Sequence, residues 1–426
     1  MMALELPLVS ATLARFAQPA IQLAAFGGIV YPVMLLIESP VIMLLPASTA
    51  LSRDWLSYRA LRRYMIRMSV VLTLLHLLVA ITPLYELIAR DLIHAPPVII
   101  GPARLGVLVA VPWTWAIAYR RFNQGILIRY GASRAIGIGT LLRLGTTVSV
   151  LVAGLALVGF GATRGLPGVA VGTVAVILGV IAESLFIGAR TARILSNAFD
   201  PLEPGQHLSV REFLRFYVPL ALTSLLALIN QPIGSAAISR MPEALESLAT
   251  WPVVIGITWV LRSGGTAYKE VVVAMLDRPN ALPALRRFTV LLTVGTFAAT
   301  CLFTLTPIAD LWLSGVSGLE PPLAGLARVA LLLALLIPAS GVLQNWYVGY
   351  LLHARQTRCI TESMVAFLVV VVLVLAAGVA DSRIPGLWVA FGAFTLGNLA
   401  QLLWVWKSAR KGLARMRSDG AGPSEG

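Results

Sequence analysis

The chain has 426 residues, of which 58% are hydrophobic and only 12% are charged. Soluble domains carry about twice that charged fraction, so a water-exposed surface is hard to build from this composition. The formal charge of +14 does not indicate nucleic acid binding, because the basic residues lie mainly in short loops between long apolar runs. These totals predict an all-α polytopic membrane protein.

The first stretch, MALELPLVSATLARF (2–16), is too short to cross a bilayer and too polar for the apolar core of a secretory signal. Beyond it, polar residues, glycines and prolines divide the chain into segments near the ~20 residues that cross a bilayer. The eleven full candidate spans are 20–51, 65–90, 103–128, 135–160, 167–190, 212–238, 246–276, 286–312, 323–353, 358–380 and 385–407. The opening stretch is a twelfth, incomplete one.

An internal repeat relates the two halves of the chain. LPLVSATLAR (6–15) aligns with QPIGSAAISR (231–240), and FNQGILIRYGASRAI (122–136) aligns with WYVGYLLHARQTRCI (346–360). Near the end of each half, LPG (166–168) aligns with IPG (384–386). The ordered matches predict a tandem duplication of six helices, and an even number gives both copies the same topology.

This duplication predicts four segments. They are an amino-terminal six-helix bundle over 1–194, a cytoplasmic linker over 195–211, a carboxyl-terminal six-helix bundle over 212–409 and a cytoplasmic tail over 410–426. In the repeat register the opening stretch corresponds to 227–241, the latter part of the seventh helix. We therefore expect the first helix to be incomplete, as a half-span or because translation starts upstream of Met1.

The distribution of lysine and arginine predicts the orientation. Loops after even-numbered helices, together with the tail, hold 21 of the 33 basic residues, and loops after odd-numbered helices hold seven. Basic residues accumulate on the cytoplasmic side of membrane proteins. The pattern predicts a multi-pass protein of the cell (inner or plasma) membrane with a cytoplasmic carboxyl terminus.

The other five cations, Arg120, Arg121, Arg143, Arg262 and Lys269, lie inside predicted spans. Ionisable groups at that depth are costly and usually face protein or a water-filled cavity. Arg120 and Arg121 either snorkel to the interface or line a cavity. The second interpretation is favoured because their repeat partners, Gln344 and Asn345, are also polar. The guanidinium fork suits carboxylates and phosphates.

The two halves also differ in charge at equivalent depths. Glu38 in the first half aligns with Ser263, and the second half carries Arg262, Lys269 and Glu270 nearby. We interpret one half as binding substrate, whereas Glu38, Glu5, Lys269 and Glu270 serve coupling or gating. The alternative for Lys269 and Glu270 is a purely structural position near the cytoplasmic end of the helix.

Two further polar sets leave their role open. Asn230 and Gln231 precede Pro232 and correspond to Glu5 and Leu6, so they either line a cavity or form hydrogen bonds between helices. Glu183 can pair with Arg143 between helices in a structural role.

Signatures of soluble enzymes are missing from the sequence. It contains no P-loop, no HExxH and no CxxC, and its two cysteines and four histidines show no metal-binding spacing. We expect no catalytic residues, no metal and no cofactor. A duplicated six-helix chain favours a transporter over an intramembrane enzyme.

Two parallel six-helix repeats resemble the MATE-like multidrug/oligosaccharidyl-lipid/polysaccharide flippase superfamily. Within it, FYVPLALTSLLALINQPIGSAAISR (216–240) is similar to the progressive ankylosis family, although Leu228 and Gln231 stand where that family has basic residues. The resemblance implies a secondary transporter that exports small anions such as citrate, pyrophosphate or nucleotides by alternating access. The expected partners are this substrate, membrane lipids and H⁺ or Na⁺ as the coupling ion, with no nucleic acid.

The predicted substrate site lies between the halves. In it the three arginines Arg120, Arg121 and Arg262 hold the anion, and the four amides Gln344, Asn345, Asn230 and Gln231 supply hydrogen bonds. Three alternatives stay open: a flippase for an anionic lipid-linked saccharide, a cation-coupled multidrug extruder and a non-transporting membrane scaffold.

Overall fold

The computed structural model describes residues 2–159, 167–198, 208–276, 278, 281–354 and 356–420. All regular elements in these ranges are helical. The α-helices are α1 (Glu5–Leu13), α2 (Pro19–Ala25), α3 (Tyr31–Ile42), α4 (Leu44–Leu51), α5 (Trp55–Ile81), α6 (Leu84–Glu86), α7 (Pro97–Val109), α8 (Val111–Arg129), α9 (Arg134–Gly159), α10 (Gly168–Ala198), α11 (Val210–Leu228), α12 (Asn230–Ile238), α13 (Ala244–Thr266), α14 (Tyr268–Met275), α15 (Ala281–Leu305), α16 (Ile308–Asp310), α17 (Pro321–Leu333), α18 (Ile337–His353), α19 (Thr357–Asp381) and α20 (Gly386–Gly420). A 3₁₀ turn (Met2–Leu4) precedes α1, and π-helical turns occur at Phe26–Val30, Leu87–Leu92 and Leu311–Val316.

Eleven segments of the described chain are long and apolar enough to cross a membrane, if the bent pair α7–α8 counts as one. The two helices of that pair meet at 43°. The predicted all-helical architecture with eleven full spans is confirmed. Helix α1 has nine residues, fewer than a bilayer crossing needs.

Two spans begin and end earlier than predicted. The span predicted at 65–90 is Trp55–Ile81, and that predicted at 286–312 is Ala281–Leu305. Asp54 caps the first of these helices, because its carboxylate accepts from the Ser57 N–H in a capping box. Four arginines assigned to the preceding loop, at 59, 62, 63 and 67, therefore lie in the first turns of α5. Both helices stop before a Thr-Pro pair because proline cannot donate the next helical hydrogen bond.

The duplication is visible in the element boundaries. Shifting Leu84–Glu86, Leu87–Leu92 and Pro97–Val109 by 224 residues reproduces Ile308–Asp310, Leu311–Val316 and Pro321–Leu333. Side chains repeat as well: Arg104 pairs with Glu86 at 3.7 Å, and Arg328 pairs with Asp310 at 2.9 Å. Since each partner keeps the same offset, the two copies share one local fold.

A close helix approach also repeats, at Gly125 and Gly349. A Cβ on Gly125 would overlap the Ser48 hydroxyl and the Leu45 carbonyl. On Gly349 it would lie 2.7 Å from Cβ of Val272 and 2.9 Å from the carbonyl of Lys269. These neighbours keep the 224-residue offset, so the two glycines let α8 approach the backbone of α4 and α18 approach that of α14.

The chain forms two compact units, Met1–Ser239 and Arg240–Gly426. In the first unit, α8 is central and packs against α3, α4, α5 and α10. In the second, its repeat counterpart α18 packs against α13, α14, α15 and α20. The central helices carry the Arg120–Arg121 pair and its Gln344–Asn345 counterpart, so the polar pairs occupy equivalent places in the two units.

Helices α11 and α12 pack within the first unit, although the repeat assigns them to the second copy. The Tyr217 hydroxyl donates to the Pro40 carbonyl, and the Ser224 hydroxyl donates to the Ser39 carbonyl of α3. The first compact unit therefore ends at Ser239 rather than at the predicted linker. Residues 199–207 of that linker and 421–426 of the predicted tail lie outside the described residues. The division by repeats stays a prediction.

Candidate functional site

Four charged side chains form a buried network in the first unit. We call Glu5, Arg120, Arg143 and Glu183 the charge network. Nη1 of Arg120 lies 2.7 Å from Oε2 of Glu183, and Nη1 of Arg143 lies 3.7 Å from the same oxygen. Arg143 also donates two hydrogen bonds to the Glu5 carboxylate, from Nε to Oε1 at 2.9 Å and from Nη2 to Oε2. Two guanidinium groups and two carboxylates balance in charge, which makes burial at membrane depth tolerable.

Neutral donors add to the charge network, and Nε of Arg120 is left without a hydrogen-bond partner among the described atoms. Gln124 donates from Nε2 to Oε1 of Glu183 at 3.1 Å, and the Thr147 hydroxyl donates to Oε1 of Glu5 at 3.3 Å. Arg120 is 2% exposed and Glu183 is fully buried. Arg120 therefore does not snorkel to the interface; its charge is matched inside the helix bundle by α10.

Glu38 and Arg121 lie beside the charge network but do not form an ion pair with each other. The Trp113 indole N–H donates to Oε2 of Glu38, and the Trp113 ring lies under the guanidinium of Arg143 at 5.7 Å. Nε of Arg121 is buried without a hydrogen-bond partner. Within the described residues, no ion pair joins Arg121 to a carboxylate. A guanidinium in this state can still bind an anion.

The second unit holds the other predicted cations and amides. Nη2 of Arg262 lies 3.5 Å from Oε1 of Gln344, a weak contact, and Nε2 of Gln344 donates to the Asn398 carbonyl at 2.7 Å. Asn345 donates to the Gly265 carbonyl at 2.8 Å. No carboxylate of the described chain pairs with Arg262. Arg262 thus also retains unused donors.

The remaining predicted residues lie in varied surroundings. Lys269 pairs with Glu270 at 3.9 Å, and both side chains are partly exposed on α14. Asn230 is half-buried at the start of α12. Gln231 is buried, and its Oε1 has no hydrogen-bond partner among the described atoms. The substrate, coupling and gating roles of these residues stay predictions.

The repeat shows that this fold does not require the charge network. A Cβ on Gly179 would meet Arg143 and Thr147, and one on Gly397 would meet Phe367 and Val371. The two glycines align at offset 218, and each contacted pair aligns at 224. The second copy therefore packs the equivalent helices with Phe367 and Val371. Gln344 and Gln401 stand there in place of Arg120 and Glu183. The first copy keeps these buried charges although the second copy packs without them, which makes the charged residues candidates for a functional role.

Sequence reasoning found part of this network. The predicted pairing of Glu183 with Arg143 is present, but Arg120 lies nearer to Glu183. The pairing of Glu5 with Arg143 was not predicted, since the two residues are 138 positions apart. The signal available in the sequence was that these four charged residues align with uncharged residues in the second copy.

No model of a known protein family matches the sequence, and no curated protein matches it. Solved structures do resemble it. An inward-facing MATE-family multidrug resistance transporter of the MOP superfamily is 17% identical, with a TM-score of 0.68 over 98% of this chain and 96% of that one. The lipid II flippase MurJ, in an inward closed conformation, is 14% identical, with a TM-score of 0.71 over 98% and 89%. The Vibrio cholerae MATE transporter VcmN, in a bent form, is 12% identical, with a TM-score of 0.52 over 97% of both chains.

These likenesses show the fold. The chain has a MATE-like fold, so the predicted fold class is confirmed. The finer resemblance to the progressive ankylosis family stays a prediction.

Proposed function

We propose that this protein is a secondary transporter that exports small anionic metabolites, of the citrate, pyrophosphate or nucleotide class, across the cell membrane by alternating access. The MATE-like fold is found in structures of transporters and a flippase, which supports transport. The observation that supports an anionic substrate is that Arg121 and Arg262 have no carboxylate partner among the described residues. Both arginines are partly buried, and an anion would supply the charge partner that their guanidinium groups lack.

The charge network has a different part in this proposal. Arg120 was predicted to bind the substrate, but Glu183 neutralises it. We therefore assign Arg120, Arg143, Glu5 and Glu183 to the coupling machinery. The coupling ion, H⁺ or Na⁺, would act on the carboxylates Glu5, Glu183 or Glu38, because these acids lie at membrane depth.

The test is uptake of labelled citrate, pyrophosphate and ATP into inside-out vesicles that contain the protein. Loss of one hydrogen-bonded charge from an anion site costs about 1.5–3 kcal/mol, equivalent to a loss of roughly 10- to 100-fold in substrate affinity. We expect Arg121→Ala and Arg262→Ala to show this loss. Arg121→Lys should retain part of the affinity because lysine keeps the positive charge. It should not restore all of it, because lysine cannot form the bidentate contact of a guanidinium group.

Arg358→Ala is the matched control, since this arginine is 91% exposed in its side chain and pairs with Glu362 in the next turn. Its removal should leave uptake unchanged. The proposal fails if none of the three anions accumulates under any imposed H⁺ or Na⁺ gradient. It also fails if Arg121→Ala and Arg262→Ala transport as the control does.

A flippase for an anionic lipid-linked saccharide is the second candidate, favoured by the likeness to MurJ. It predicts scrambling of a lipid diphosphate saccharide between leaflets and no accumulation of soluble anions. Accumulation of organic cations instead would indicate a multidrug extruder. No movement of any of these solutes would indicate a scaffold.

A further inference from the structure

A cavity of about 490 Å³ opens in the first unit, between α3, α5, the turn Leu87–Leu92 and the pair α11–α12. We call it the lateral groove. Its walls include Ile37 of α3, Leu75 and Val79 of α5, and Leu225 and Ala236 of α11 and α12. None of the residues of the charge network lines it. The lateral groove is therefore separate from the candidate functional site.

The walls of the lateral groove offer nothing polar to a ligand. Among the described residues that line it, only Ser39 has a polar side chain, and its hydroxyl donates to the Leu36 carbonyl at 2.8 Å. Leu36 needs that donor because Pro40, four residues later, has no N–H. The Ser39 carbonyl accepts in turn from Ser224. A water molecule needs two to four polar partners to stay in a cavity, so the lateral groove is dry.

The lateral groove meets the hydrocarbon of the membrane. Leu75 is 42% exposed and Leu92 is 63% exposed at its edge, and α5 turns most of its apolar length outward. We propose that the lateral groove binds an acyl chain of a bilayer phospholipid, which fills the gap between α5 and the broken helix α11–α12.

The dimensions of the lateral groove suit a hydrocarbon chain, since its volume is about 490 Å³. The same volume is about three times that of an engineered cavity that binds benzene. A flexible hydrocarbon chain can follow the walls and restore the dispersion contacts that an empty void forfeits.

The test uses the full-length protein in nanodiscs made from a phospholipid that carries a photoactivatable diazirine near the middle of one acyl chain. After illumination, mass spectrometry maps the labelled residues. We expect labels on the groove-facing residues of α3, α5 and α11–α12, in excess over the exposed stretch around Val290 and Val294 of α15, which does not line the lateral groove.

Ala236→Phe adds a side chain to the wall and should displace the acyl chain. Excluding about two methylene groups removes hydrophobic free energy equivalent to roughly a ten-fold change in affinity, so groove labelling should fall about ten-fold. Val71→Phe is the matched control, because Val71 is an exposed residue of α5 that does not line the groove. It should leave the labelling unchanged. Gel filtration of both variants would check that they are folded.

Three results would overturn the proposal. Labelling of the groove that only equals that of the stretch around Val290 would show bulk lipid without a site. Equal labelling of Ala236→Phe and Val71→Phe would show that the chain does not enter the groove. Displacement of the label by a small amount of an unlabelled polyprenyl phosphate, but not by unlabelled phospholipid, would identify an isoprenoid occupant instead.

Discussion

The charge network makes a quantitative prediction about Arg120 and Glu183. Glu183→Gln removes one carboxylate and leaves Arg120 buried with two amides as neighbours, that of Gln124 and that of the introduced glutamine. Arg143 keeps Glu5, so the network then carries one unmatched positive charge. Arg120→Gln creates the opposite imbalance. The double substitution restores neutrality and reproduces the glutamine pair that the second copy carries at Gln344 and Gln401.

The expected magnitudes follow from burial. Both groups of the Arg120–Glu183 pair are buried, and their nitrogen and oxygen atoms are 2.7 Å apart. Removing one partner of such a pair destabilises a protein by about 3–5 kcal/mol, because the other charge stays buried and unpaired. Replacing both partners by neutral groups is often close to neutral. We therefore expect each single variant to lose about 3–5 kcal/mol and the double variant to lose far less than their sum.

The assay is the free energy of unfolding of the purified protein in mixed micelles, measured for the wild type, both single variants and the double variant. Arg358→Gln is a control, because Arg358 is 91% exposed in its side chain and its pairing with Glu362 should contribute at most about 1 kcal/mol. Additive losses in the double variant would refute the account of a coupled, buried pair. Transport should fall in all three variants, since each removes at least one charge of the proposed coupling machinery.

Two further predictions concern packing and hydrogen bonding in the first unit. Gly125→Ala should destabilise the protein by more than about 1 kcal/mol, since a Cβ there overlaps neighbouring backbone. Gly137→Ala, where a Cβ meets open space, should be neutral or stabilising by about 0.5–1 kcal/mol in the same unfolding assay. Trp113→Phe removes the donor to the buried Glu38 and should lower the free energy of unfolding by about 1–3 kcal/mol. Trp115→Phe, at an exposed position, is its control; equal effects of the two tryptophan variants would contradict the assigned hydrogen bond.

Most of the fold could be predicted because membrane spans are long and their apolar signal is strong. The eleven spans and the duplication both followed from hydropathy and aligned residues. The predicted ends of two spans were less accurate. In the first of them, arginines were interpreted as loop residues, although Asp54 and Ser57 form a capping box that starts α5 before these arginines. The capping residues are present in the sequence, but the prediction gave more weight to the arginines that follow them.

The site was harder to predict than the fold. Cations at membrane depth could be found from their positions alone, and Arg121 and Arg262 keep unused donors as a binding role would require. What the sequence does not specify is which acid meets which base. Glu5 and Arg143 lie on α1 and α9, and only the packing of these helices brings the two side chains together. Arg120 accordingly lies against Glu183 instead of standing free for a substrate.

The most direct test of the transport proposal is counterflow in proteoliposomes made from the purified protein. Vesicles are loaded with unlabelled citrate, pyrophosphate or ATP, and the entry of the same labelled anion is followed without an imposed ion gradient. Alternating access predicts transient accumulation of at least one labelled anion, which Arg121→Ala and Arg262→Ala abolish and Arg358→Ala leaves intact. Entry that is independent of the internal anion, or no entry of any of the three, would contradict the account.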